Sequence, residues 1–597
     1  MKQTTFFAML AASMAAMTVT TACSSEDPLS ELSNYNNYQS QTQNSSNPSA
    51  GSTSATTGEL ASFSVAIDKS TAEPTNQADA YYPETEDNIA NNSFATEIAI
   101  DLANPVSRTE SGVTITANGG HITANHGSEK GICYVLSGTT TNGSFSVVGE
   151  KKYEVRLNGV NITNPDSAAL NLLSSKRAYV VLADGTANTL TDGTVSQNDH
   201  KGALYCKGKL LFSGTGSLEV YGNYNNAIHS ADYILFSTGN NIYAKSVANH
   251  GIKANDGIYI NGGILNVEVS AAAAKGINCE SHIMVNGGRT TVITTGNGTY
   301  DSDDQEAKGA ACLKADSTLT VYGGELRLKS TGSGGKGINV DGAADFCGGN
   351  TYIITEGSQY KSGNDTASPK GIKVDGALNI KDGTVWVRTS GSNGEGIETK
   401  STLTISGGQT ASYAYDDAIN SKSTMTITDG YVYAQGRNND GIDANGNIYI
   451  KGGVIYAISA GGAEVAIDAN TEGGYKLYLQ GGTVVAVGGL EQGSQLSQSC
   501  YQASWSSNTW YALSNGSQTL AFKTPQSGGN GLVVSTASTP TLTSGVTATG
   551  GTSLFGGLAQ WGTTTTGGSS VTLSSYSGGN AMGGMGGMGG GGRPGGW

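Results

Sequence analysis

The chain has little of what an enzyme or a membrane-spanning protein is usually built from. It contains no Gly-x-Ser-x-Gly elbow and no phosphate-binding loop with its lysine, so the common hydrolase and nucleotide-binding signatures are missing. Its six histidines, His121, His126, His200, His229, His250 and His282, are scattered without metal-ligand spacing. The cysteines fit neither a zinc signature nor a compact disulfide framework, which points to buried, mostly unpaired thiols. Charged residues make up only 14% of the chain and proline only 10 positions, against 87 glycines. That balance favours many short strands and turns over helices. Beyond the N-terminus no stretch approaches the roughly 20 apolar residues that a spanning helix needs.

The N-terminus itself is distinctive. A lysine at position 2 precedes an apolar, small-residue run and then Thr20-Thr21-Ala22-Cys23. This resembles a bacterial lipoprotein signal peptide (residues 1–23) with Cys23 as the acylated residue. The following Ser24-Ser25-Glu26-Asp27 is similar to the acidic address of Bacteroides-type surface lipoproteins. An outer-membrane lipoprotein exposed at the cell surface is therefore expected, with the acyl chains as its membrane contact. Residues 24–93 read as a tether, because their Ser, Thr, Asn and Gln content buries too little apolar surface to offset ordering. Residues 577–597, rich in Gly and Met, read as a disordered tail.

Between them one template recurs about every two dozen residues. Copies begin at Lys201, Asn226, His250, Lys275, Lys308, Lys336, Lys370, Glu395, Asp417 and Asp440, and a drifted copy follows at Ala466-Ile467. Each closes on a glycine: Gly214, Gly239, Gly263, Gly288, Gly324, Gly349, Gly383, Gly408, Gly430, Gly453 and Gly482. Alternating runs such as Leu403-Thr404-Ile405 and Val385-Trp386-Val387 fill the copies, and glycine marks where the chain must turn at positive φ. No such unit buries its apolar face alone, so the copies must stack. Leucine-rich repeats and propeller blades have other patterns or longer periods. The expected fold is all-β, a parallel β-helix over residues 94–489, its first coils and cap drawn from 94–200, closed by a β segment at 490–576.

Stacking turns sequence positions into columns about 4.8 Å apart. One column changes sign, from Lys275, Lys308, Lys336 and Lys370 to Glu395, Asp417 and Asp440. Around the same bend fall Glu395, Glu398, Asp416, Asp417, Asn420, Asn439, Asp440 and Asp443. They offer only hard oxygen donors, the set that suits Ca²⁺; the alternative is a solvated acidic bend. A second column, Tyr352, Trp386, Ala411, Tyr433 and Tyr456, should face outward between inward neighbours. It reads either as a stacking platform for a glycan or as aromatic pairing that stabilises the sheet. The lysines read as a cradle for a polyuronate or as partners of Glu280, Asp341 and Asp375. Cys279 and Cys312 are expected on adjacent coils in one core column. The loop Tyr300-Asp301-Ser302-Asp303-Asp304 reads as a second cation site or as a solvated acidic loop.

The rungs Glu395-Gly396-Ile397-Glu398, Asp416-Asp417-Ala418-Ile419-Asn420 and Asp440-Gly441-Ile442-Asp443 resemble those of the calcium-binding right-handed parallel β-helix family of carbohydrate-binding domain-containing proteins. The likeness extends over about 155–550 and includes Phe522-Lys523-Thr524-Pro525. It departs at Ala418, which stands where a rung glycine is usual, and in the upstream lysines. The resemblance implies a right-handed coil like that of pectate lyases, Ca²⁺ held between coils, and binding of plant-type polysaccharides such as cellulose or polygalacturonate. The expectation is thus a monomeric, calcium-dependent or calcium-stabilised polysaccharide-binding protein with no catalytic residues assigned. Carbohydrate contacts are expected at Tyr352, Trp386, Tyr433 and Tyr456, and no nucleic-acid partner is expected. A uronate lyase with a lysine base and Ca²⁺ is the first alternative; a β-helix adhesin is the second.

Overall fold

The computed structural model describes residues 59–578 except 61 and 71; the signal peptide, Cys23 and nearly all of the Gly/Met-rich tail lie outside the described residues. The chain folds as an all-β parallel solenoid of about 15 turns with 2% helix. Each coil presents three faces, as one coil and the start of the next illustrate. Lys370–Val374 lies on the first face, Leu378–Ile380 on the second and Thr384–Thr389 on the third, and Glu395–Thr399 returns to the first. Every strand pairs in parallel with its counterpart one coil away, so Ile338, Ile372 and Ile397 stack in one column.

The alternation of residues explains the core. Inward positions of all three faces, such as Ile372, Leu378, Ile380, Val385 and Val387, form one continuous apolar cluster running through the coils. All eleven closing glycines adopt positive φ, between 67° and 90°, at the corner between the second and third faces. A Cβ on Gly383 would also lie 2.4 Å from the Gly349 carbonyl oxygen of the previous coil. Backbone conformation and close stacking therefore both demand glycine there.

The ends are closed by antiparallel pairing, which ends the parallel ladder and protects its edge. At the start, Arg108–Glu110, Val113–Asn118 and Gly120–Asn125 form an antiparallel meander whose Val113, Ile115 and Ile122 plug the core. At the end, Thr483–Val487 pairs antiparallel with Leu532–Ser535. A six-stranded antiparallel sheet drawn from residues 510–571 packs beside the last coils.

Three expectations need correction. The tether does not extend to residue 93: its described part is a strap packed along the solenoid. Leu60 is buried, Asp68 pairs with Arg289 at 3.0 Å, Asn76 and Ala78 pair with Gly324 and Asn286, and Asp87 is buried against Arg177. A composition poor in apolar groups still orders here because a few large side chains meet a preformed apolar surface. Lys308 does not share the column of Lys275 and Lys336, where Ala311 stands. Lys308 instead closes the hairpin of Thr299–Asp301 and Glu306–Lys308 and pairs with Asp301 at 2.9 Å. The same slip separates Cys279, which pairs with Ala315, from Cys312; both are buried free thiols.

Candidate functional site

The aromatic column does project away from the solenoid core, as its spacing implies, but it is not exposed. Tyr433 and Tyr456 are fully buried, and Tyr352 and Trp386 nearly so. Phe63 of the strap lies 5.6 Å from Tyr352 and 6.4 Å from Trp386, centroid to centroid. Phe555 and Phe522 of the C-terminal sheet cover Tyr433 and Tyr456, and the Tyr456 hydroxyl donates to the Lys523 carbonyl at 2.9 Å. The outside of a coil is here the inside of the protein. An apolar column of this size disfavours water contact, and the chain covers it with its own segments, so the expected glycan platform is a structural seam.

The first face carries the charge change, on side chains that are buried or half-buried. One outward column there runs Lys373, Glu398, Asn420, Asp443, Asp468. The adjacent one runs Lys336, Lys370, Glu395. Lys370 is the turning point: its Nζ lies 3.0 Å from Glu395 Oε1 and 2.8 Å from Glu398 Oε2. Burial resists ionisation of both acids, yet Lys370 holds Glu398 below the usual carboxylate range while Glu395 stays above it. These two expected metal ligands are thus each ion-paired with a lysine one coil back, while Glu395 Oε2 has no hydrogen-bond partner.

Farther along, Asp417 and Asp440 are held by amides instead. Asp417 Oδ2 accepts from Asn420 Nδ2 at 3.1 Å, and Asp417 Oδ1 from the Asp440 amide at 3.2 Å. Asp440 Oδ1 accepts from the Val465 amide at 2.7 Å. Asp416 accepts from Asn439 at 2.9 Å. Among the described residues no Lys or Arg pairs with Asp417, Asp440 or Asp468. Burial, then Asp443, Asp416 and Glu395, push Asp417 up to about 8. Burial, then Asp417 and Asp468, push Asp440 to about 9. Burial, then Glu491 and Asp443, push Asp468 to about 8.

Carboxylate oxygens of Asp440, Asp443 and Asp468 all lie within 4.8 Å of one another. Two oxygens that each sit about 2.4 Å from a calcium ion can be at most about 4.8 Å apart, so the three fit one ion. Asn420 is 2% exposed, and its Oδ1 has no hydrogen-bond partner. A buried acceptor left empty costs about 1–3 kcal/mol, and this one stands in the column beside Asp443. The donor set suits a hard cation such as Ca²⁺. Of the eight residues anticipated as ligands, Asp417, Asn420, Asp440 and Asp443 cluster around this point. Asp468 was missed, although Ile467-Asp468 repeats Ile442-Asp443 in the drifted last copy.

A sequence profile of carbohydrate-binding domain-containing proteins matches residues 109–414 and 366–438. The chain belongs to the carbohydrate-binding domain-containing protein family. A curated relative of that description from Acetivibrio thermocellus is 34% identical over 121 residues, 19% of this chain and 42% of the relative. The match thus spans under half of that relative's length. A solved structure described as the polysaccharide lyase-like protein from C. thermocellum, in a gadolinium derivative, aligns over 48% of this chain and 99% of its own. Its sequence identity is 21% and the TM-score 0.30. The matched residues include Lys370, Glu395 and Glu398 and stop short of Asp440.

Proposed function

We propose that this carbohydrate-binding family member is a lipid-anchored, cell-surface polysaccharide-binding protein whose last acidic coils hold Ca²⁺. The anchor rests on the sequence from Met1 to Cys23. The observation that carries the metal is the conjunction of three converging carboxylates with the unpartnered, buried Asn420 Oδ1. Asp440, Asp443 and Asp468 would hold the ion, with Asn420 and Asp417 beside it. Bound there, Ca²⁺ supplies positive charge that removes the repulsion among these acids and offers open positions to a sugar carboxylate or hydroxyl. Asn420 and Asp443 lie on strands hydrogen-bonded to both neighbours and Asp468 on the last strand of that face. Asp417 and Asp440 sit just before the first two of these strands, held by the Asn420 amide and the Asp440 and Val465 backbone amides they accept from. Calorimetry with Ca²⁺, and melting with and without chelator, test the ion. A glycan array tests the polysaccharide. No heat of binding and no chelator effect would reject the ion, and an array without hits would turn the reading toward an adhesin.

A second reading, a lyase of uronate polymers, is favoured by Lys336. Among the described residues its Nζ donates to the Gly334 carbonyl alone, at 3.3 Å. Burial, then the ammonium groups of Lys275, Lys373 and Lys370, pull it down to about 7, which suits a base at neutral pH. A neutral Lys336 amine would take the proton next to a uronate carboxyl, and the glycosidic C–O bond would break, the departing oxygen taking a proton from water, to leave an unsaturated chain end. Ultraviolet absorbance of such ends, lost in Lys336→Ala, would establish it. Polyuronate binding without product would leave the binding reading alone.

A further inference from the structure

Most lysines on the first face between Lys253 and Lys373 hold a carboxylate. Lys253 pairs with Glu280 at 2.7 Å, Lys314 with Asp316 and Asp341 at 2.6 Å, and Lys373 with Asp375 at 2.6 Å. Lys370 has Glu395 and Glu398. The acids expected to answer the column of Lys275 and Lys336 are thus taken by lysines of the neighbouring column. Among the described residues no carboxylate pairs with Lys275 or Lys336. The chain has acids to spare, with a net charge of -15, yet places none here.

The two lysines stand in one column with Ala311 between them, and both are half-buried. Their ammonium groups turn to the same corner. Lys275 Nζ donates to the Ala273 carbonyl at 2.5 Å and, one coil on, to the Gly309 carbonyl at 2.7 Å, while Lys336 Nζ donates to the Gly334 carbonyl. Gly309 and Gly334 meet across consecutive coils, since a Cβ on Gly309 would lie 1.8 Å from the Gly334 carbonyl oxygen. An ammonium has three N–H donors, so among the described residues Lys275 keeps one unused and Lys336 two. Burial, then Lys314 and Lys308, pull Lys275 down to about 8, and Lys275 is the first of the cations that press on Lys336. Two recessed cations facing one point without a counter-ion oppose each other's charge.

We infer that Lys275 and Lys336 together hold a free tetrahedral oxyanion, sulfate or phosphate, at the corner between the third and first faces. Two ammonium groups balance a dianion, and unused donors on two separate nitrogens match an acceptor with several oxygens. The site lies apart from the acidic coils and does not rest on the calcium or polysaccharide readings. An anion held there would keep Lys336 protonated and so oppose its use as a base.

The test is equilibrium dialysis of the full chain against radiolabelled sulfate in sodium chloride of fixed concentration, with unlabelled phosphate and phenyl phosphate as competitors. The expected result is one sulfate per chain, displaced by phosphate and at least tenfold less well by phenyl phosphate. Lys336→Met should weaken sulfate about tenfold or more, equivalent to losing about 1.4 kcal/mol. Lys130→Met, at an exposed position near the other end of the solenoid, should leave it unchanged. Bound sulfate should also slow acetylation of Lys275 and Lys336 by acetic anhydride, read peptide by peptide, and leave Lys130 unaffected. That measurement needs no variant, so it decides the matter even if Lys336→Met fails to fold. No sulfate bound, binding undiminished in Lys336→Met, or acetylation of both lysines unchanged by sulfate overturns the site. Equal displacement by phenyl phosphate overturns the free ion in favour of an ester group on a larger molecule.

Discussion

Phe63 meets Tyr352 edge to face, with ring centroids 5.6 Å apart, across nearly three hundred residues of chain. Through this contact a polar segment becomes part of the fold, since Leu60 beside it is buried and its carbonyl accepts from Arg388 at 2.9 Å. Phe63→Ala should therefore destabilise the protein by about 2 kcal/mol, below the cost of truncating a fully buried Phe because the ring is half-buried. It should also open Trp386 to water. A lower melting temperature with a red-shifted tryptophan emission checks both, and an unshifted emission would mean the strap closes over the gap.

Asp468 gives the metal site a two-signed test. In metal-free protein burial, Glu491 and Asp443 hold its carboxyl at about 8, so at neutral pH it is ionised in the unfolded chain and must take up a proton on folding, a cost that Asp468→Asn removes. The substitution should raise the melting temperature without calcium. The same change removes one of three converging ligands, so the rise that Ca²⁺ gives the wild type should shrink or vanish. A merely solvated acidic bend would give the first effect with no calcium dependence to lose.

Two buried histidines set an acid limit. Burial, then Lys253 and Lys201, pull His229 down to about 4; burial, then Lys275, Lys253 and His229, pull His250 to about 3. Glu280, two coils on, weakly opposes this. Both folded values lie below the unfolded value of about 6.5, so above that pH the histidines are neutral in both states and cost nothing. Below it the unfolded chain takes up protons that the folded chain refuses, and stability falls until the pH passes through 4 and 3. The His250 Nδ1 accepts from the Lys275 amide at 3.0 Å, a bond an asparagine oxygen can keep. His250→Asn should flatten the melting temperature against pH between about 6.5 and 3.

The solenoid was legible because its rules are local and repeated. Closing glycines such as Gly383 and alternating runs such as Val385-Trp386-Val387 each announce a corner or a strand, and every coil repeats the message. What escaped was contact between distant segments. Nothing near Trp386 in sequence says that Phe63 will cover it, and nothing near Tyr433 says that Phe555 will. The same limit applies at the site. That Asp417, Asn420, Asp440 and Asp443 come together was legible because they keep register, whereas the claim of Lys370 on Glu395 and Glu398 depends on side-chain reach between coils. The three-residue slip at Lys308 moved a charge out of its column for a related reason, since a hairpin inserted there restarts the register at Ala311.

Arg177 holds the far end of the strap. Its Nε donates to Asp87 Oδ1 at 2.8 Å, Nη1 reaches Glu86 at 3.1 Å, and the same Asp87 oxygen accepts from the Tyr233 hydroxyl at 2.7 Å. The Asp87 side chain is wholly buried, so Arg177→Met would strand a carboxylate away from water beside two other acids, Glu84 and Glu86. Breaking a buried pair by removing one partner costs about 3–5 kcal/mol. That cost can be met by releasing residues 59–93 rather than by unfolding the coils, whose core does not include Asp87. Limited proteolysis of Arg177→Met should therefore cut within the strap at temperatures where circular dichroism still reports intact strands. Coincident loss of strands and strap would instead make the clasp part of the solenoid's own cooperative unit. Replacing both partners, Arg177→Met with Asp87→Leu, should recover much of the loss, because the stranded charge and not the missing bond dominates the cost.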